Sequence, residues 1–358
     1  MVVRWRSGTV TAIGRRWHGA VTLSVDVASG TVRALAYPAL VGEPEVGDRV
    51  LLNVGALEMG LGTGGYALVV ALPDRLPPDP GPSSRDLGHL VKARYTPLQA
   101  IVLGVDEEAS PHHAVLADAS DIGGMPVVVA DLHSALPAIL AGVRADAPAA
   151  RVAYVMTDGG ALPAWFSRTL DGLRGHLAGT VTVGQAFGGD LEASTVHSGL
   201  LAARHVLGAD VTVVTQGPGN LGTGTTWGFS GVAAGEAVNA VAALGGRPVG
   251  ALRISDADPR PRHRGISHHS LTAYGKVALA PADLVIPQGL PFDVDETPLA
   301  RHRVIHVPID GLERALKASP VPLSTMARGL DEDPWYFLAS AAAGRHAAAL
   351  LPPPSRRS

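Results

Sequence analysis

The chain has 358 residues, of which 46% are hydrophobic and 17% charged, and a formal net charge of −3. That is enough apolar material for a large core in two or three domains, and too little basic excess for a dedicated nucleic-acid binder. Cysteine is absent, which excludes disulfide frameworks, thiolate metal sites and cysteine nucleophiles, so any metal must be held by His, Asp or Glu.

The first eight residues lack an apolar stretch of signal-peptide length, and no run of about 18 apolar residues suggests a membrane span. A cytoplasmic location is the expectation. A composition rich in Ala, Gly, Pro and Arg, with few Lys, resembles that of a GC-rich bacterial genome.

Residues 1–75 predict a small all-β, barrel-like domain of five or six strands. Short, partly alternating runs at 9–13, 20–25 and 31–37 are separated by Gly and charged turns, a turn at 45–48 feeds a strand to 53, and 66–71 offers one more. Packing, oligomerisation or a lid would be its role. Residues 76–92 form a Pro-rich linker, since proline fixes φ and removes donors.

From residue 93 to 350 the rhythm becomes α/β. The short apolar runs 100–104, 126–130, 152–156, 180–183, 211–215 and 248–254 suit buried parallel strands. Helices are expected up to about 143, over 165–173, over a segment carrying Glu192, Thr195, His197 and Ser198, and over 232–244. Further strands are expected at 284–286 and 304–307, a helix at 311–318, one or two helices over 324–350, and a disordered tail at 351–358. The fold class is α/β: a doubly wound, mostly parallel sheet after a barrel-like domain, with polar loops gathered at the carboxyl ends of the strands.

Two loops are unusually polar. The first, after the run 211–215, contains Gly217, Gly219, Asn220, Gly222, Thr223, Gly224 and Thr225. Glycines let backbone amides approach an anion, and Asn and Thr add side-chain donors. It matches neither a dinucleotide fingerprint nor a Walker loop, and a tight strand-to-helix turn without a ligand would have the same composition. The second loop carries Arg253, Arg260, Arg262 and Arg264, whose forked donors suit phosphate or carboxylate. It also carries Asp256 and Asp258, to orient those arginines or bind a metal, and His263, His268 and His269, candidates for proton transfer or metal ligation.

Asp131 and His133 lie two apart on an extended segment after the run 126–130, and Asp158 and Asp190 follow two other strands. If the sheet gathers these loops, Asp131, His133, Asp158, Asp190 and His268 form a carboxylate–imidazole set suited to zinc, manganese or iron. Asp131 joins the three late histidines as a candidate acid or base. Asp after a strand is also a common helix cap. No G-x-S-x-G elbow frames a serine, which argues against a serine hydrolase.

The glycine run 217–225 and the segments 262–265 and 267–269 together resemble an uncharacterised bacterial family, a domain of unknown function, over nearly the whole chain. The resemblance implies a bacterial protein of this layout and brings no activity with it.

The expectation is therefore a cytoplasmic hydrolase or transferase, rather than a redox enzyme, acting on a small phosphate- or carboxylate-bearing ligand with help from a divalent metal. A non-catalytic sensor of a nucleotide or metabolite is the alternative. A third reading makes the rim an assembly surface of a homo-oligomer. Neither nucleic acid nor membrane is an expected partner.

Overall fold

The computed structural model describes residues 3–78 and 88–352. The chain divides into two compact units. One is Met1–Val102 with Trp165–Asp171; the other is Leu103–Ala164 with Gly172–Ser358.

In the first unit, β1 (Trp5–Trp17), β2 (Ala20–Val27), β3 (Gly30–Ala36), β4 (Arg49–Asn53) and β5 (Ala67–Ala71) close a barrel in the order β1-β2-β3-β5-β4. One-turn helices α1 (Pro38–Val41) and α2 (Gly55–Glu58) fill two connections. Period-two alternation sends Val21, Leu23 and Val25 inward to meet Val50, Leu52 and Val69. Register breaks at Val10/Ala12 and Ile13/Arg16 bend β1, which pairs with both β2 and β4. The segment Trp165–Asp171 completes this unit: Trp17 Nε1 donates to the Trp165 carbonyl at 2.7 Å, and the Trp165 ring packs on Tyr37.

A hairpin of β6 (Leu90–Lys92) and β7 (Ala100–Val102) follows. The run 100–104, expected as one strand of the α/β sheet, divides instead: Ala100–Val102 pairs with β6, and Gly104 makes an isolated parallel bridge to Glu192. Within the Pro-rich stretch 76–92, residues 79–87 lie outside the described residues, as do 353–358 of the tail.

The second unit begins with α3 (His113–Leu116). It continues through β8 (Pro126–Ala130), α4 (Leu136–Asp146) and β9 (Val152–Thr157); after α5 (Arg168–Leu173), which begins in the first unit, come β10 (Gly179–Thr182), β11 (Leu191–Glu192) and α6 (Val196–His205). Next come β12 (Val211–Gln216), α7 (Ala233–Ala243), β13 (Arg247–Ala251), the ribbon β14 (Ile254–Ser255) with β15 (Gly265–Ile266), and α8 (His268–Thr272). The chain ends through β16 (Asp283–Pro287), β17 (Arg303–Val307), α9 (Leu312–Lys317), a second ribbon β18 (Ser324–Thr325) with β19 (Arg328–Gly329), and α10 (Pro334–Ala349). Among the described residues no helix is long and apolar enough to cross a membrane.

Eight strands form one parallel sheet in the order β11-β10-β9-β12-β8-β13-β16-β17. Helices α4, α9 and α10 pack together, as do α3, α6 and α7, so β8 is buried along its whole length. The chain leaves β8 toward β9 on one side and leaves β12 toward β13 on the other. Since β8 and β12 are neighbours, their carboxyl ends form a topological switch point, where ligands of open α/β sheets bind.

Three helix expectations change. Glu192 belongs to the two-residue strand β11, and α6 starts after the N-cap Thr195, which forms a capping box with Ser198. The segment 165–173 breaks into a 3₁₀ turn, Ala164–Phe166, and α5. At the C-terminus a ribbon occupies 324–329, and a single helix, α10, begins at Pro334, where a missing N–H is tolerated. α10 meets α4 at glycines: a Cβ on Gly344 would clash with the Ile139 carbonyl, and one on Gly142 with that of Ala341.

Candidate functional site

Three adjacent strands, β12, β8 and β13, release the segments that build the site. β8 ends into Asp131, 3% exposed. β12 ends in Gln216, also buried, whose Nε2 donates to the Asp131 carbonyl at 2.7 Å and to Asn220 Oδ1 at 2.9 Å. Residues after β13 run through Arg253 and the β14–β15 ribbon to the turn Pro261–His263 and α8. Ser267 caps α8, accepting from the His269 N–H at 3.2 Å. α8 then widens into a π turn, Ala273–Val277, where the Tyr274 hydroxyl donates to the Val129 carbonyl of β8 at 2.7 Å. Such turns recur at functional sites.

The loop from 217 to 228 forms an exposed hairpin rather than wrapping a helix amino end. Thr223 N–H donates to the Gly228 carbonyl, Ser230 N–H donates to the Leu221 carbonyl, and Gly222 bridges Phe229. Asn220 Oδ1 closes its base, accepting from Gln216, Ser230 Oγ and the Gly231 N–H. Phe229 leaves the hairpin and stacks flat on His269, with centroids 3.8 Å apart and rings 2° from parallel.

His263, His268 and His269 stand together. Their ring centroids are 4.4–4.8 Å apart, and one ligand nitrogen from each lies within 4.8 Å of the others. His263 Nδ1 pairs with Ser267 Oγ at 2.7 Å. His269 Nδ1 lies 3.9 Å from Asp131 Oδ2. Around them five buried polar atoms lack a hydrogen-bond partner: Asp131 Oδ2, Gln216 Oε1, Arg253 Nη1, His268 Nε2 and His269 Nδ1. Leaving such atoms unsatisfied costs about 1–3 kcal/mol each, so their concentration makes this the candidate site.

Burial and charge set the protonation states. Burial pushes the Asp131 carboxyl up to about 6, against the opposing pull of Arg253. Burial pushes His263 and His269 down to about 3; Arg253 and Arg260 add to this at both, and the neighbouring histidines add to it at His269. His268 is lowered by burial and then by Arg262, Arg253 and Arg260. Burial and the arginines thus favour the neutral form of all three imidazoles.

Asp258 organises the arginines. Burial alone would raise its carboxyl; the hydrogen bonds from Arg260 and the charges of Arg260 and Arg253 outweigh burial and hold it well below the usual carboxylate range. It accepts from Arg253 Nη2 at 2.9 Å, from Arg260 Nη2 at 2.8 Å and from Arg328 Nη2 at 3.3 Å. Arg264 Nε donates to the Asp258 carbonyl at 3.0 Å. Arg253 remains with one free guanidinium nitrogen in the cluster.

The structure thus brings Asp131, Arg253, His263, His268 and His269 into one cluster, with Arg260 and Arg264 held at its margin. It does not bring in the other expected metal ligands. His133 Nδ1 pairs with the Tyr154 hydroxyl at 2.9 Å, and burial lowers its pKa to about 4. Asp158 Oδ2 accepts from the Gln185 N–H at 2.8 Å. Asp190 accepts from the N–H and hydroxyl of Thr180, near the amino end of β10. Each of these carboxylates is engaged by its own loop or a neighbouring strand. Of the glycine loop, Gly217 is buried, Asn220 clamps the base, and Gly219, Gly222, Thr223, Gly224 and Thr225 lie on the exposed arm with Arg262 beside Gly224. Three participants escaped sequence reasoning: Gln216, Phe229 and Ser267. A buried amide ending an apolar strand was the one available signal.

A family model described as a protein of unknown function, DUF3866, matches residues 33–344. The chain belongs to that family. None of the curated proteins matches it.

Proposed function

We propose that this DUF3866 chain is an enzyme, a hydrolase or transferase, that works on a small phosphate- or carboxylate-bearing substrate over the ends of β12, β8 and β13, with a divalent metal assisting. The observation that carries this reading is the convergence of unpartnered buried atoms of opposite character at the switch point. The free guanidinium nitrogen of Arg253 is a donor for the substrate's anionic group, strong because it is charge-assisted and shielded from water. Asp131, with its carboxyl near 6, is poised to take or give a proton close to neutral pH. A metal would polarise the substrate or activate a water. A bacterial, cytoplasmic setting belongs to the same reading and is supported by the composition.

The test is a thermal-shift and turnover panel of inorganic phosphate, small phosphomonoesters and dicarboxylates. Arg253→Lys should abolish the ligand-induced shift, since an ammonium cannot reproduce the fork. Asp131→Asn should keep the shift and lower turnover by about 10²–10⁴-fold. Shifts and turnover that ignore both substitutions would defeat the reading. A shift with no turnover on any member would favour a metabolite sensor.

A further inference from the structure

His263, His268 and His269 fall within seven positions of the chain, yet they come from two elements that meet. His263 closes the turn Pro261–His263, whereas His268 and His269 open α8. The short β14–β15 ribbon folds the segment back so that the turn and the helix start face each other. The result is three imidazoles in mutual contact, two of them at most 6% exposed.

Neutral imidazoles crowded in this way have a problem. Their ring nitrogens need partners, and the cluster does not supply them: His268 Nε2 and His269 Nδ1 are buried with none. An ion that accepts lone pairs resolves the conflict. His263 Nδ1 is engaged by Ser267 Oγ at 2.7 Å, and in the tautomer that donates Nδ1–H to that oxygen its Nε2 carries the lone pair. Negative charge is also present. Asp258 offsets part of the charge of Arg253 and Arg260, and Asp131 Oδ2, free of any hydrogen bond, sits 3.9 Å from His269 Nδ1.

We propose that His263, His268 and His269 hold a divalent transition-metal ion, with Asp131 as the adjoining carboxylate. A nitrogen-rich donor set suits zinc, cobalt or iron and disfavours magnesium or calcium, which take oxygen ligands. Phe229 stacked on His269 and the Ser267 cap hold the rings in place. The site stands on its own geometry; only its partnership with an anion at Arg253 rests on the function proposed above.

The full chain, stripped with a chelator, would be titrated with Co²⁺ and followed by its visible absorption, then challenged with Zn²⁺. The proposal expects one equivalent of cobalt with intense low-symmetry bands, displaced by zinc. His268→Ala, at a half-buried position, and His269→Ala should each weaken binding about 100-fold, and Asp131→Asn about 10–100-fold. His205→Ala, an exposed histidine bonded to the Asp121 carbonyl, should change nothing. Absence of the bands in the unmodified chain, or bands that survive His268→Ala undiminished, would overturn the assignment. If cobalt binds as expected and no phosphate or dicarboxylate shifts the melting temperature, the metal site stands and the enzymatic reading falls. If no cobalt bands form while anion-dependent turnover that Arg253→Lys abolishes is present, the metal site falls and the enzymatic reading stands without its metal.

Discussion

Asp258 serves three guanidiniums with two oxygens, and it is fully buried. Removing its charge would leave Arg253, 3% exposed, as a buried cation without a counterion, a change that typically costs about 3–5 kcal/mol. Asp258→Asn should therefore destabilise the second unit by about that amount at pH 7, as read by denaturant unfolding. The pH dependence follows from the direction of the shift. The folded-state carboxyl lies below its unfolded value of roughly 3.9, so its contribution is complete above that pH and is lost as pH falls through the folded-state value. The gap between wild type and Asp258→Asn should hold from neutrality to about pH 4 and close only below it. A gap that narrows between pH 7 and 5 would contradict this. At the same scale, the legibility of the site follows a pattern. Asp131 and the three histidines stood out because ionisable residues packed densely after apolar strands are chemically conspicuous. Asp158 and Asp190 looked the same in the sequence, and nothing local distinguishes a buried carboxylate oxygen without a hydrogen bond, as at Asp131, from one bonded to a loop amide. Gln216, Phe229 and Ser267 act through stacking and hydrogen bonds made across the fold, which residue type does not announce.

Among the elements, the contact between α4 and α10 is set by backbone against backbone. Intrinsic helix propensity favours Ala over Gly by about 1 kcal/mol. At Gly344 and Gly142 that preference meets the carbonyls of Ile139 and Ala341, which have no room to retreat. Gly344→Ala should therefore lower stability, by about 1–3 kcal/mol, measured as a drop in the thermal midpoint; a gain would show that the helices part easily. The hairpin 217–228 is governed differently. Asn220 Oδ1 collects three donors at its base, so Asn220→Ala should loosen the hairpin locally, seen as faster hydrogen exchange at the Gly231 amide, with little change in global unfolding. The parallel strands were readable because fully buried strands are short, apolar and β-branched, as in 126–130 and 211–215. Two-residue strands such as β11 are too short to carry any periodicity, and for that reason Glu192 was expected on a helix.

At the level of the whole molecule, connectivity links the two units more than once. The segment Trp165–Asp171 leaves the second unit's run of sequence to complete the first, where Trp165 contacts Tyr37 and Gly19. Trp165→Ala should destabilise the barrel by about 1–3 kcal/mol, detectable as an earlier transition in calorimetry; an unchanged trace would mean that the segment is a passenger. That excursion was invisible in the sequence, because a tryptophan at the start of an amphipathic stretch reads as local core. The switch point between β8 and β12 was partly legible: alternating strands and helices imply a parallel sheet, but the strand order that makes those two neighbours depends on contacts over long separations.

The nearness of the three imidazoles along the chain has a thermodynamic consequence. Donors only one and five residues apart can chelate in the denatured ensemble as well as in the native one. Ions that recognise both states shift the folding equilibrium only by the difference between the two affinities. An ion seated here should therefore raise the melting temperature by less than its native-state dissociation constant alone would dictate, and a nascent chain could capture it before the sheet is complete.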